Sequence, residues 1–494
     1  MAVLTHVCLS DLHLGAAYSI LTGVTDGGAL DLSKTSPSLD ALGRALAQQM
    51  SSLTDGAPPT LVLLGDVLDM GLSPTGDVVR AYRRFVETLF PADRPPLFSD
   101  QLVCVPGNHD HHLWRAAQDE QLLDALGRLP PAGDATPELI ENTALFGTPG
   151  AASRLLTAVM RSYPHLANAR VAIAYPNFGL FNEANGRCIV LHHGHYTDAM
   201  YLAMSSLDAD VSGRAARPKS VAGVERQNGA WVDFLWSDLG SAGRTGHDVT
   251  TLYQIMRDAG ASHRFCEQLS RRALSMLSSG LGVPGGTQVT NGITVDNLVR
   301  GLVDASFGRG AESERNSYLS VMSDGATADL RWYVGGPVCR QLRDEGVFDA
   351  VRELSFVFGH THKPFQDELV VAPWSLPVSV YNTGGWVMDQ PTMAPTQGAS
   401  AIFIDADLNI AAQRLFNDPA NGVMAPVHVR GAGGFRDRDN VLLGRVQAAL
   451  DSSADRWAAF SDCARRDVAL RAECLLAEFF DRSKNGSARA GDHR

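Results

Sequence analysis

The stretch Cys104–Asp110, C-V-P-G-N-H-D, decides how the rest of the chain is read. The apolar run Leu102–Val105 stops at Pro106-Gly107 and then delivers an amide, an imidazole and a carboxylate at Asn108, His109 and Asp110. A buried strand leaving its sheet through a tight turn produces this pattern. Asn108 offers an amide oxygen to a hard cation, and His109 offers a transferable proton.

Working outward, the same rhythm recurs. The run Thr5–Ser10 stops at Asp11-Leu12-His13, and Leu61–Leu64 stops at Gly65-Asp66-Val67-Leu68-Asp69. Between these runs lie helical patterns. Leu39, Leu42, Leu46, Met50 and Leu53 stand behind Ser38 as an N-cap, and Val78, Val79, Tyr82, Phe85, Val86 and Leu89 share one side. This is β-α-β-α-β with uninterrupted apolar strands, so parallel pairing buried on both faces is expected. Ligands gather at the carboxyl ends of such strands. Further strands are expected at Arg170–Tyr175, at Arg187–Leu191 before His192-His193-Gly194-His195, at Leu354–Phe358 before Gly359-His360-Thr361-His362, at Val378–Tyr381 and at Ala401–Ile404. His360 and His362 point the same way if that segment stays extended.

The boundaries expected from this pattern are a first catalytic part over 1–197, a mostly helical insertion over 198–347, read either as a cap over the site or as a structural embellishment, and a second catalytic part over 348–417. A helical extension over 418–482 and a disordered tail over 483–494 follow. Within the insertion, Trp231–Leu239, Thr251–Asp258 and Arg264–Leu277 read as helices.

Composition narrows the function classes. With 45% hydrophobic and 19% charged residues in 494, the chain reads as an ordinary globular protein. A net charge of -12 disfavours a generic nucleic-acid or anionic-membrane binder. Its 7 cysteines form no C-x-x-C pair, which points to a reducing compartment. With no signal-peptide pattern and no apolar stretch long enough to span a bilayer, the expected location is cytoplasmic.

Five apolar runs therefore end in Asp11/His13, Asp66, Asn108, His193 and His360/His362: two carboxylates, one amide oxygen and four imidazoles. Seven ligands exceed what one structural metal takes and suit two divalent ions sharing one Asp. Such a pair clamps a phosphoryl group for in-line displacement. Mixed oxygen and nitrogen donors admit Mn, Fe, Zn or Co.

The order D-L-H, G-D-V-L-D, G-N-H-D, H-G-H and G-H-T-H resembles the calcineurin-like metallophosphoesterases, over about residues 5–200 and 350–410. The resemblance implies a four-layer α/β sandwich with a dinuclear metal site at the strand ends. It implies that Asp11, His13 and His362 hold one ion, that Asn108, His193 and His360 hold the other, and that Asp66 bridges them. It further implies water activated by the metal pair, His109 as general acid and Asp69 as the carboxylate that orients and charges it. Asp110 is left as a structural carboxylate of the turn. A His paired with a carboxylate is expected to stay protonated to higher pH. The protein Ser/Thr phosphatase branch carries an Arg directly after the second Asp of G-D-x-x-D. Here that position is Met70, so that branch is disfavoured and Arg214, Arg217 and Lys219 become candidates for gripping phosphate.

The expected activity is hydrolysis of a phosphomonoester or phosphodiester. A nuclease or a nucleotide-linked pyrophosphate hydrolase on the same site is one alternative, with nucleic acid disfavoured by the acidic balance. A basic groove, or an apolar tunnel around Tyr201–Leu207 and Trp231–Trp236, would separate these. A non-catalytic metal-binding scaffold is the other alternative.

Overall fold

Alternation along the strands sends one set of side chains towards helices and the other into a layer between two sheets. In the first strand Val7 and Leu9 join the helix-facing core, while Cys8 joins an inter-sheet cluster. Leu61 and Leu63 against Val62 and Leu64, and Cys188 and Val190 against Ile189 and Leu191, divide in the same way. The computed structural model describes residues 3–128, 139–206, 217–238, 320–388, 390–417, 427–434 and 436–491, with parts of 266–307.

In chain order the strands are β1 (Leu4–Leu9), β2 (Thr60–Leu63), β3 (Gln101–Cys104), β4 (Arg170–Ile173), β5 (Asn177–Asn182), β6 (Arg187–His192), the small hairpin β7 (Gln288–Thr290) and β8 (Ile293–Thr294), then β9 (Glu353–Phe358), β10 (Phe365–Leu369), β11 (Val378–Asn382), β12 (Ser400–Asp405), β13 (Ile410–Arg414) and β14 (His428–Arg430). The helices are α1 (Pro37–Met50), α2 (Thr75–Leu89), α3 (His112–Gly127), α4 (Arg154–Arg161), α5 (Val221–Asp233), α6 (Val295–Phe307), α7 (Asp324–Tyr333), α8 (Cys339–Asp344), α9 (Val441–Ser452) and α10 (Ala454–Gly491).

One sheet has the order β14-β13-β12-β1-β2-β3-β4, with β1 to β4 parallel. The other runs β10-β11-β9-β6-β5, with β6, β9 and β11 parallel. The chain is thus a mixed α/β fold with two multistranded sheets, as expected. Strands β5, β10, β13 and β14 were not anticipated. They pair antiparallel at or near sheet edges; half-buried positions break up the apolar run in β5, β10 and β14, while buried β13 is short and ends in polar Gln413 and Arg414.

The carboxyl ends of β1, β2 and β3 are bonded to one another beyond the strands. Asp11 N donates to Gly65 O at 2.9 Å, and His13 N to Asp66 O at 2.9 Å. In the second sheet Gly359 N donates to His193 O at 2.7 Å. The ligand-bearing loops are therefore continuations of the ladders rather than free excursions.

Part of the segment 198–347 covers the outer face of the second sheet. Tyr333 of α7 donates to Asn177 Oδ1 at 3.1 Å, and Asn177 Nδ2 donates to Gln341 Oε1 of α8 at 2.8 Å. The Tyr333 ring also lies 4.8 Å from that of His192, which faces away from His193 as strand alternation requires. One π-helical turn, Val334–Val338, joins α7 to α8 around Pro337. Thr251–Asp258 and half of Arg264–Leu277 lie outside the described residues. No described helix is long and apolar enough to cross a membrane, and among the described residues no disulfide forms.

The C-terminal helices lie against the first sheet's helical layer. Asp467 of α10 accepts from Ser38 N at 3.1 Å and from its hydroxyl, at the start of α1. Buried Arg471 donates to Ser19 O at 2.6 Å and Thr22 O at 2.7 Å. The helix continues to Gly491 through the polar stretch where disorder was expected, since extending an existing helix needs no new nucleus. Asp467→Ala should cost about 3 kcal/mol by leaving buried Arg471 and the α1 terminus without their carboxylate. Urea unfolding should read this as a lower midpoint at unchanged slope.

Candidate metal centre

Backbone conformation sets the site. Seven described non-glycine residues have positive φ, and five of them are Asp11 (51°), His13 (45°), Asp66 (48°), His360 (71°) and His362 (58°). Each such residue costs on the order of 1–3 kcal/mol and is held only by its surroundings. Glycines make room for the turns. A Cβ on Gly65 would lie 2.2 Å from His193 Nδ1, and one on Gly107 would lie 2.3 Å from Asp66 Oδ1. Gly359–His362 does not stay extended, so the condition for His360 and His362 to point the same way is not met. The segment turns left-handed at both histidines, and they diverge to different halves of the site.

All nine expected site residues come together, none more than 4% exposed. Asp11, His13 and His362 form one compact donor set, and Asp66, His193 and His360 another, with donor atoms within 4.8 Å of one another in each. His362 Nε2 lies 3.3 Å from Asp11 Oδ1 and 3.3 Å from His13 Nε2. Asn108 Oδ1 joins the second set, 3.1 Å from His193 Nε2 and 3.0 Å from His360 Nδ1. Between the sets, Asp66 Oδ2 lies 3.7 Å from His13 Nε2 and 3.4 Å from His193 Nε2.

The donor chemistry fits cations. His193 Nδ1 is spent on Leu64 O at 3.1 Å, His360 Nε2 on Asp198 Oδ2 at 3.3 Å and His13 Nδ1 on Asp69 Oδ1 at 3.4 Å. The remaining ring nitrogens therefore turn lone pairs towards one another and towards carboxylates, a cluster that a divalent ion reconciles. Electrostatics agree. Burial opposes charge on His193, but Asp66 and Asp11 overcome it and lift the imidazole to about 9. Burial likewise opposes charge on Asp66, yet His193 and His109 hold it well below the usual carboxylate range.

His109 Nδ1 lies 2.8 Å from Asp69 Oδ1, and its buried Nε2 has no hydrogen-bond partner among the described residues. Burial lowers the His109 pKa despite Asp66 and Asp69, so the expectation that pairing alone would keep it charged is corrected. Asp69 is a hub that sequence spacing only partly revealed. Its second oxygen accepts from Tyr18 at 3.1 Å and from Ser73 at 2.7 Å. Asp110 accepts from the backbone of Gly107 at 2.6 Å, Val67 at 2.9 Å and Leu68 at 3.3 Å, binding two ligand loops into one turn. Burial and Asp66 raise its carboxyl to about 6.

Asn382 Nδ2 donates to Gly359 O at 2.9 Å and Thr361 Oγ1 at 3.1 Å, shaping the turn that carries His360. His111, which extends G-N-H-D, is not a surface-loop residue. It is fully buried, with Nδ1 2.6 Å from Asp233 Oδ1 and Nε2 2.9 Å from the Tyr175 hydroxyl. His195 is buried too, its ring 4.2 Å from that of Tyr196. Of the phosphate-gripping candidates, Arg217 is paired with Asp329 at 2.5 Å and lies over the Trp332 ring. Lys219 is exposed, and Arg214 lies outside the described residues. Asp198 went unnoticed in the sequence, although a carboxylate five residues beyond a ligand His was a usable signal. Trp236, which lies against His109, was read in the sequence only as part of a candidate apolar tunnel.

A family model described as calcineurin-like phosphoesterase matches residues 4–272, more than half of the chain. No curated protein matches it. The match ends before His360 and His362, which the fold returns to the same site.

Metal-stripped protein titrated with Mn²⁺ should take up two ions per chain, and its melting temperature should rise. At a hundredfold excess over Kd each ion bound independently stabilises by about 2.7 kcal/mol. Apparent affinity should strengthen as pH rises towards 9, because His193 must release its proton to bind metal. Asp66→Ala should remove most of the thermal shift, whereas substitution of exposed His112 should not.

Proposed function

Because the chain belongs to the calcineurin-like phosphoesterases, we propose that it hydrolyses a phosphomonoester or phosphodiester with two divalent ions held by Asp11, His13 and His362 on one side and Asn108, His193 and His360 on the other, bridged by Asp66. When bound, such ions lower the pKa of a coordinated water and neutralise phosphoryl oxygens. The single observation that carries the reading is the pair of converging donor sets with Asp66 Oδ2 between them and the unpartnered His109 Nε2 alongside.

The protein's own residues then divide the remaining tasks. Asp69 accepts a hydrogen bond from His109 Nδ1–H, which fixes the ring and leaves Nε2 to carry the proton for the leaving oxygen. Burial lowers the pKa of this imidazole, and a phosphoryl group arriving beside it adds negative charge that favours the imidazolium. Asp198 holds the outer nitrogen of His360, and Tyr18 and Ser73 hold the outer oxygen of Asp69. These contacts fix the donors before substrate arrives.

A small or narrow substrate is favoured over polymeric nucleic acid. Arg217, one of the cations named by the sequence, is already committed to Asp329, and aromatic side chains flank the described part of the centre.

Purified protein supplied with Mn²⁺ should cleave p-nitrophenyl phosphate or bis(p-nitrophenyl) phosphate, and the preferred ester reports mono- or diesterase character. On a substrate with a poor leaving group, His109→Ala should lower kcat by about 10²–10⁴ while leaving metal content intact. Full activity in that variant would remove His109 from the chemistry.

A further inference from the structure

The segment that follows α5 reaches back over the centre. Trp236 sits in a π-helical turn, Phe234–Asp238, and is 5% exposed. Its indole lies against the His109 imidazole, with ring centroids 3.9 Å apart and planes 32° apart. The indole N–H donates to the Tyr201 hydroxyl at 3.2 Å, and Tyr201 in turn meets the edge of His360 with centroids 5.2 Å apart. The loop just beyond Asp69 seats the indole from below, since a Cβ on Gly71 would lie 2.8 Å from its Cε3.

A second contact joins the same two segments. Asp233, three residues before Trp236, bonds His111, two residues after His109, at 2.6 Å, and its other oxygen takes Arg115 at 2.7 Å. Further along α5, Glu225 accepts from Trp114 at 3.2 Å and from Tyr175 at 3.0 Å, and also from Tyr196. A buried ion pair with this many partners fixes register more than it adds stability. The indole is thereby held at a set height over His109 rather than resting there by chance.

We propose that Trp236 is a positioning residue for His109, holding the imidazole flat so that Nε2 faces the leaving oxygen while Nδ1 stays on Asp69. This rests on the reading of His109 as general acid. As the bond from phosphorus to the leaving oxygen breaks, the Nε2 proton passes to that oxygen and a neutral imidazole remains on Asp69. An aromatic face against the ring blocks its rotation and keeps water from that side. The segment outside the ligand-bearing loops thus supplies part of the acid's environment.

The test compares two esters on the Mn²⁺-loaded protein. p-Nitrophenyl phosphate has a leaving group that needs little protonation, and phenyl phosphate has one that needs more. Trp236→Ala should lower kcat for phenyl phosphate on the order of tenfold and for p-nitrophenyl phosphate by less than about threefold, since only the acid's share of the rate is affected. Trp236→Phe should recover most of the loss. Trp236→Leu, which keeps bulk without an aromatic face, should behave as Trp236→Ala and serves if that variant does not fold. Equal losses on both esters, or no loss on either, would overturn the proposal. His109→Ala measured alongside separates the two layers. If it shows the leaving-group dependence and the Trp236 variants do not, this inference fails alone. If His109→Ala shows none, the general-acid reading fails and this inference with it.

Discussion

A buried carboxylate between two sets of imidazoles is the constraint on which the rest of the molecule depends. Asp66 Oδ2 stands within 3.7 Å of His13 and 3.4 Å of His193, which come from different sheets. Its other oxygen accepts from His109 N at 2.8 Å, on the next loop. One side chain therefore ties the ends of β1, β2, β3 and β6 together. Uncompensated, a carboxylate at 1% exposure would be costly. The surrounding imidazoles lower that cost, and a pair of cations would lower it further. The left-handed residues in four ligand positions besides Asp66 are tolerated because the ladders, Asp110 and Asn382 over-determine the turns.

Much of this was legible in the sequence because it depends on local events. An apolar run that stops at a metal-type ligand marks both a buried strand and its end, and this recovered the parallel strands of both sheets; the nine positions it singled out lie together, buried, in the structure. What stayed hidden depends on contacts far apart in sequence. Strands β5 and β10 pair at sheet edges, so their polar alternation looked like loop. His111 reads as an extension of G-N-H-D, and only Asp233, more than a hundred residues on, shows it to be buried. The lowered His109 pKa could not be foreseen from its pairing with Asp69, because burial outweighs the carboxylates. The diverging His360 and His362 depend on two backbone angles that no side-chain pattern records.

The segments outside the recurrent strand-and-ligand pattern are not inert additions. α7 and α8 cover the second sheet's outer face, and α5 delivers Trp236 to His109. α10 holds the loop that follows His13 through Arg471, and the same loop carries Tyr18 to Asp69. The core supplies the donors, and these later segments fix the groups around them.

The most direct test of the central claim is electron paramagnetic resonance of the Mn²⁺-loaded protein. Two ions bridged by Asp66 at about 3.5–4 Å would be exchange-coupled. The account predicts a multiline spectrum of a coupled pair, which gives way to isolated-ion signals in Asp66→Ala. A wild-type spectrum showing only isolated Mn²⁺ at full loading would contradict it.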